Sequence, residues 1–491
     1  MRGPLFRTLN PRRSQHGVEQ PGAALAGVVL LPALFGCGNS APVRAQLLIE
    51  VDTNVPTLEQ ALDDEQLSVD ASLDTLRIDV IRDDGTVIDF LDVVAPTPDD
   101  WPITFGALPP EDGRRVRFHM RLFRGKHATR GTLNGVPTLE PQPRLAVQRV
   151  VDLEFPESGV REARVALSGD CLGIAPQFGK VATSCIDAAR PSAPAEQGIE
   201  PMARRTEVGS WSLARPVPCA GEAPAGAVCV PGGFSVLGDD ALVGYADYVD
   251  AAPLVPILTQ PFFVDRTEVT VGRYRDFVAA NGEPTEPALS YVEGDQIRSF
   301  CGFRSHAVGD YDQLPLNCTA WDTFRAICQA AGGDLPTEAQ WEHMARGRGQ
   351  ARTFPWGEED VTCCRSSVSR AGVTGVALLC PTAAGIEPVG SHLTSESCGV
   401  GDQSRDGVLD LGGSVSEFTL DNARAYSQNC WSGPGILRDP QCVEAGGLVT
   451  ERGGSFTKGP QNSTAALRVN GSKLHVSPGV GGRCVYPAGG G

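Results

Sequence analysis

Fourteen cysteines follow a basic and then apolar leader, and this combination limits the possible folds of the 491-residue chain more than any other feature. The leader carries Arg2, Arg7, Arg12 and Arg13, followed by an apolar run from Ala23 to Phe35 broken only by Gly and Pro. That run is too short to cross a bilayer as a helix and has the layout of an export signal. Beyond Cys37 an even set of 14 cysteines remains out of 15, which in an exported chain predicts disulfides formed in an oxidising compartment. Zinc is the weaker alternative, because there is no C-x-x-C and the seven histidines are scattered. Cys171–Cys185, Cys219–Cys229, Cys301–Cys318 and Cys430–Cys442 would each close a short loop. The vicinal Cys363-Cys364 reads as two neighbours bonded separately to Cys380 and Cys398, with a redox pair as the alternative.

The apolar run ends in Leu34-Phe35-Gly36-Cys37, which resembles the lipobox of bacterial lipoproteins. The resemblance implies a signal peptide over 1–36, lipidation of Cys37, a tether over 37–44, and attachment to a membrane of the bacterial cell envelope. Formal charge is −17, and the leader holds four arginines against one glutamate, so its removal leaves −20. Nucleic acid is excluded as a partner, since phosphate binding depends on neutralisation by Lys and Arg. An acidic surface suits divalent cations or neutral polymers better. The length predicts two or three domains. The 57 Gly and 38 Pro predict many turns and modest helix content.

Residues 45–187 show period-two alternation, with candidate strands Gln46 to Val51, Leu76 to Arg82, Val116 to Phe123, Val147 to Phe155 and Ala163 to Leu167. Val116, Phe118, Met120 and Leu122 share one face; Arg117, His119, Arg121 and Phe123 share the other. Asp84-Gly85 marks a hairpin. The pattern predicts an antiparallel β-sandwich of immunoglobulin-like type, with His119 and His127 on its surface. Residues 188–226, rich in Pro, Ala, Gly and Glu, read as a linker.

A second domain is expected over 227–491. Pro231-Gly232-Gly233-Phe234 opens it, and Phe262 to Thr270 then leads into a helix from Val271 to Ala280 with Thr270 as N-cap. Trp321 to Ala330 has helical spacing, and Leu335-Pro336-Thr337-Glu338-Ala339-Gln340-Trp341-Glu342 begins another helix capped by Thr337. Next come Phe354-Pro355-Trp356-Gly357, the block Gly407 to Phe418, Glu451-Arg452-Gly453-Gly454-Ser455-Phe456, and Gly482-Arg483-Cys484. In this order the segments resemble the formylglycine-generating-enzyme, or sulfatase-modifying-factor, family. The resemblance implies an α+β unit of C-type-lectin-like fold, and a disulfide between Cys328 and Cys484.

Family members that make formylglycine oxidise a sulfatase cysteine with oxygen and copper held by two cysteines. Those positions are Lys458 and Ser463 here, and neither replaces a thiolate for Cu(I). Copper and a catalytic set are therefore not expected. The family's calcium ligands map to Asp410, Gly413, Val415 and Glu417, hard oxygen donors suited to Ca²⁺, with Glu268 as a further contributor and Asp402 and Asp406 nearby. His343 reads as a packing residue, while Lys473 and His475 border the expected substrate groove. The leading expectation is a lipid-anchored, non-catalytic module that binds a protein, peptide or glycan or acts as a scaffold. The alternative is a divergent formylglycine-generating oxidase, for which Cys430 or Cys442 would have to be free thiols.

Overall fold

The computed structural model describes residues 6–8, 44–110, 113–133, 135–200, 206–242, 251–309, 311–371, 379–444 and 446–488. Cys37, the tether up to 43 and all of the leader except 6–8 lie outside the described residues.

In the N-terminal unit, Val87–Val94, Thr75–Ile81, Arg115–Phe123 and Ala146–Glu154 form an antiparallel sheet in that order. Alternation puts Val116, Phe118, Met120 and Leu122 on its inner face, all buried. There they meet Leu47, Ile49, Val51 and Phe105 of a second sheet, in which Gln46–Thr53 lies between Ile103–Ala107 and Val160–Leu167. The expected all-antiparallel arrangement is corrected here: Gln46–Thr53 runs parallel to Val160–Leu167, with Gln46 opposite Val160.

The outer face of the four-stranded sheet is also buried, which corrects the surface placement of His119. Arg77 pairs with Asp79 at 2.8 Å and Arg117 with Asp152 at 2.6 Å. The Phe178 ring stands edge-on to His119, and the His119 Nε2 faces Gln148 at 3.1 Å. Loops over 176–198 and the hairpin Thr129–Leu133/Val136–Glu140 bring backbone carbonyls to these guanidinium groups, as with Gly179 and Leu139. Burial, and then the Arg121 charge, push His119 down to about 3, so it is neutral in the folded protein.

Residues 188–226 contain more than a spacer. Trp211 is fully buried, its Nε1 donates to Asp170, and its ring packs on Phe234 of the second unit at 5.5 Å. A Cβ on Gly169 would come within 2.3 Å of that ring, so only glycine allows the approach. Phe234, Val236, Leu254 and Leu258 share one continuous core with the N-terminal sheets. Asp70 accepts from the Val236 N–H, and its own N–H donates to Gly349. The two units are thus joined by packing as well as by chain.

The second unit is β-rich with three α-helices, Val271–Asn281, Trp321–Ala330 and Glu338–Ala345, among the described residues. Thr270 caps the first as expected. Thr337 and Gln340 form a reciprocal capping box on the third. Ala227–Val230, Phe262–Asp265 and Val485–Pro487 form one antiparallel sheet, which brings the two ends of the unit together. Arg468–Ser472, Leu448–Arg452, Ser416–Asn422 and Val480–Gly481 form another, in that order. All 14 described cysteines are paired, in the four short-loop bridges, Cys363–Cys380, Cys364–Cys398 and Cys328–Cys484. Seven disulfides are the mark of an exported protein in an oxidising compartment. Among the described residues no helix is long and apolar enough to cross a membrane.

Candidate functional site

The helix Glu338–Ala345 turns two carboxylates and an indole inward, because positions three and four apart share a face. Glu338 is completely buried and takes two hydrogen bonds from Arg468, at 2.5 and 2.9 Å. Glu342 pairs with Arg452 and, at 3.3 Å, with Arg346. Trp341 Nε1 donates to Glu417 at 2.8 Å, and Arg483 clamps that same Glu417 at 2.6 to 2.9 Å. The separate sequence segments that carry the family resemblance are therefore one interlocked lattice of buried charges. Each carboxylate in it faces a guanidinium.

Next to this lattice lies the loop from Asp410 to Glu417, with Asp410 and Ser414 both at φ 61°. Asp410 is buried and accepts from the Gly390 N–H at 2.5 Å. Asp402 accepts from Gly412 N–H and from Ser366 Oγ. Glu268 is buried against Asp410, close enough for the two carboxyls to share a proton, and no N–H or hydroxyl reaches either of its oxygens. Burial and then the Asp410 charge push Glu268 well above the usual carboxylate range and Asp402 up to about 7. Burial raises Asp410 too. Asp406 lies apart, paired with Arg348 at 2.9 Å.

These contacts test the expected calcium set. Gly413 and Val415 offer backbone carbonyls and Asp410 a buried carboxylate, but Glu417 already has both oxygens on Arg483. Glu268, whose two oxygens meet no N–H or hydroxyl, is the hard donor that fits a cation here. Among the described residues no three His, Cys, Asp or Glu side chains are grouped to hold a metal, so such a site depends on main-chain oxygens.

Lys458 and Ser463 lie past the turn that follows Leu448–Arg452. Lys458 Nζ donates to Ser416 Oγ at 2.9 Å and stands 4.0 Å from Glu451 Oε2, with the side chain 23% exposed. Glu451 Oε1 in turn faces His475 Nδ1 at 3.5 Å. A Cβ on Gly471 would lie 1.8 Å from that oxygen, so glycine there leaves room for the carboxylate. Ser463 is buried and its hydroxyl has no hydrogen-bond partner. Lys473 lies over the Trp321 ring at 4.2 Å. His343 is buried between Ser235 Oγ and the Pro231 carbonyl, a packing residue. Cys430 and Cys442 are bonded to each other, so neither is a thiol.

The model of the sulfatase-modifying factor enzyme 1-like domain matches residues 215–488, more than half of the chain. The chain belongs to this sulfatase-modifying factor family. It is 31% identical over 163 residues to the formylglycine-generating enzyme of Streptomyces coelicolor, covering 27% of this chain and 51% of that one. It is also 26% identical over 160 residues to the inactive C-alpha-formylglycine-generating enzyme 2 of Bos taurus, covering 27% and 52%. Against these the chain spans about half the length of the curated relative. The solved structure of PvdO from Pseudomonas aeruginosa is 21% identical with a TM-score of 0.39, covering 53% of this chain and 93% of that one.

In this sulfatase-modifying-factor domain, sequence reasoning located the Asp410–Glu417 loop and the Lys458 and Ser463 positions. It missed the partners that decide their chemistry. Glu451 and Ser416 flank Lys458 from strands more than 30 residues apart in the chain. Both stand within recognised segments, and strand pairing of Glu417 with Arg452 is the signal that would have joined them.

Proposed function

We propose that the chain is a lipid-anchored protein of the bacterial cell envelope whose sulfatase-modifying-factor domain does not oxidise cysteine, but binds a peptide or protein through the face carrying Lys458. The observation behind this reading is the pair Lys458 and Ser463, together with the pairing of all 14 described cysteines, which leaves no thiolate for Cu(I) among the described residues. The Bos taurus relative named inactive supports it, although the Streptomyces coelicolor relative carries the enzyme's name. Copper titration, followed by an oxygen-dependent assay on a Cys-x-Pro-x-Arg peptide, tests it. The expected result is no stoichiometric copper and no aldehyde; conversion of the peptide would establish the divergent oxidase instead.

The proposal places the lipid on Cys37. Cys37→Ser should move the protein from the membrane to the soluble fraction, and a variant that stays in the membrane fraction would refute the anchor. It also places a calcium ion at the loop, held by Asp410, the Gly413 and Val415 carbonyls and Glu268, with Glu417 kept on Arg483. Such an ion would neutralise a carboxylate excess that no guanidinium meets, and its role is structural.

A further inference from the structure

Of the 42 basic residues in this chain only four are lysine: Lys126, Lys180, Lys458 and Lys473. Guanidinium is the default cation here, and every positive charge of the buried lattice is carried by arginine. Lys458 departs from that default at a position where the two cations differ chemically. Arginine never releases its proton near neutral pH, whereas a desolvated amine does so readily and then carries a nucleophilic lone pair.

The surroundings of Lys458 are those of an amine held ready. Ser416 is completely buried, and its hydroxyl donates to the Gly453 or Gly454 carbonyl at 3.0 or 3.2 Å, so it meets Lys458 as an acceptor, at 2.9 Å. Glu451, 2% exposed, stands 4.0 Å from the amine, too far for a hydrogen bond but next to it. Its other oxygen faces His475, which is 49% exposed and links the site to solvent. Phe456, two residues before the lysine, is completely buried and packs against Phe300 at 6.2 Å, which anchors the backbone that carries Lys458. Burial pulls the Lys458 amine below the usual lysine range, with Glu451 opposing the shift, while hydrogen bonding to Glu451 lifts His475. An amine that loses its proton more easily, beside an imidazole that keeps one longer, is the combination that addition to a carbonyl and loss of water require.

We propose that Lys458 is a nucleophilic amine that captures an aldehyde as an imine, with the Glu451–His475 pair moving the protons. The neutral amine adds to the carbonyl carbon, forming a C–N bond while the C=O π pair moves to oxygen. Oxygen takes a proton from the imidazolium and nitrogen gives one up to Glu451, which gives a carbinolamine. Glu451 returns that proton to His475, which protonates the hydroxyl; water leaves as the nitrogen lone pair forms the C=N bond, and the iminium nitrogen gives its remaining proton to the imidazole. Amine and aldehyde thus become imine and water with no change of oxidation state, and hydrolysis reverses the step. This inference uses the face assigned above to ligand binding, but not the question of cysteine oxidation.

The test is done on the folded, disulfide-bonded chain with 3-phenylpropanal as probe, quenched with borohydride at short times over pH 6 to 9. Peptide mass mapping then gives the labelling rate of each of the four lysines. The expected result is labelling of Lys458 about tenfold faster than Lys473 at pH 7, with its half-maximal rate at lower pH. His475→Gln should slow Lys458 by about tenfold and leave Lys473 unchanged. Equal or slower labelling of Lys458, or a Lys458 rate indifferent to His475→Gln, overturns the proposal. Either outcome leaves the copper and peptide assay free to decide the oxidase question separately.

Discussion

Two sets of buried carboxylates lie side by side in the sulfatase-modifying-factor domain, and they are treated in opposite ways. Glu338, Glu342 and Glu417 each face an arginine, at Arg468, Arg452 and Arg483. Glu268, Asp402 and Asp410 are as deeply buried but meet backbone N–H groups, a serine, or, for Glu268 and Asp410, each other. Desolvation is similar in both sets, so the difference lies in compensation. The first set is closed and structural. The second retains a negative excess that must be met by protons or by a cation, which makes it the place where the solution can act on the fold.

The most severe break of this contrast is to remove one partner from the closed set. Arg468→Met leaves the buried Glu338 with Arg452, at 3.3 Å, as its nearest guanidinium, beside hydroxyl contacts from Thr450 at 3.3 Å and Tyr426 at 3.5 Å. The expected loss is about 3–5 kcal/mol in denaturant unfolding, the usual effect of an uncompensated buried charge. A loss under about 1 kcal/mol would mean that the lattice is not what holds the helix Glu338–Ala345 in place.

The open set should respond to calcium, and more weakly. At about a hundredfold excess over the dissociation constant, an ion bound only by the folded state adds about 2.7 kcal/mol. A chelator should therefore lower the melting temperature, and Asp410→Ala should abolish the response while Arg468→Met preserves it. A melting curve unchanged by chelator would leave protons as the sole compensation and remove the calcium site from the proposal.

The contrast also explains how far the sequence could be read. The helices of the second unit were legible because Thr270 and Thr337 cap two of them and the apolar spacing of Trp321–Ala330 is regular, whereas the short helix Leu58–Asp63 of the first unit was not read. The disulfides were legible because six of the seven close short loops in sequence, with Cys328–Cys484 coming from the family resemblance. Compensation was not legible. Glu417 and Glu268 are both acids in recognised segments, and only the fold shows that Arg483 takes the first and leaves the second without an N–H or hydroxyl donor. The same limit explains His119, whose place in an alternating strand implied solvent; loops from 60 residues further along the chain cover that face. Trp211 was obscured by its composition-poor surroundings, although a single large aromatic in a Pro- and Gly-rich stretch is itself a sign of docking.

The smallest effect expected is a pH response from a group that belongs to neither carboxylate set. His343 lies on the lattice helix, with Nδ1 at 2.9 Å from Ser235 Oγ and Nε2 at 3.0 Å from the Pro231 carbonyl, and burial pushes it down to about 4. Below its unfolded value of about 6.5 the unfolded chain binds the proton and the folded one does not. Its contribution to stability is therefore complete above that value and declines as pH falls towards 4, by about 1.4 kcal/mol per unit. Asp402 and Asp421, both raised to about 7 by burial, act in the opposite sense over the same range, so total stability alone is uninformative. The informative quantity is the difference between wild type and His343→Gln in denaturant unfolding at pH 7.5 and 5.5. It should shrink by about 1.4 kcal/mol on going to the lower pH, because the variant has no imidazole to protonate on unfolding. A constant difference would show that His343 takes up its proton in the folded state, and that the lattice helix tolerates a charge which its surroundings give no means of compensating.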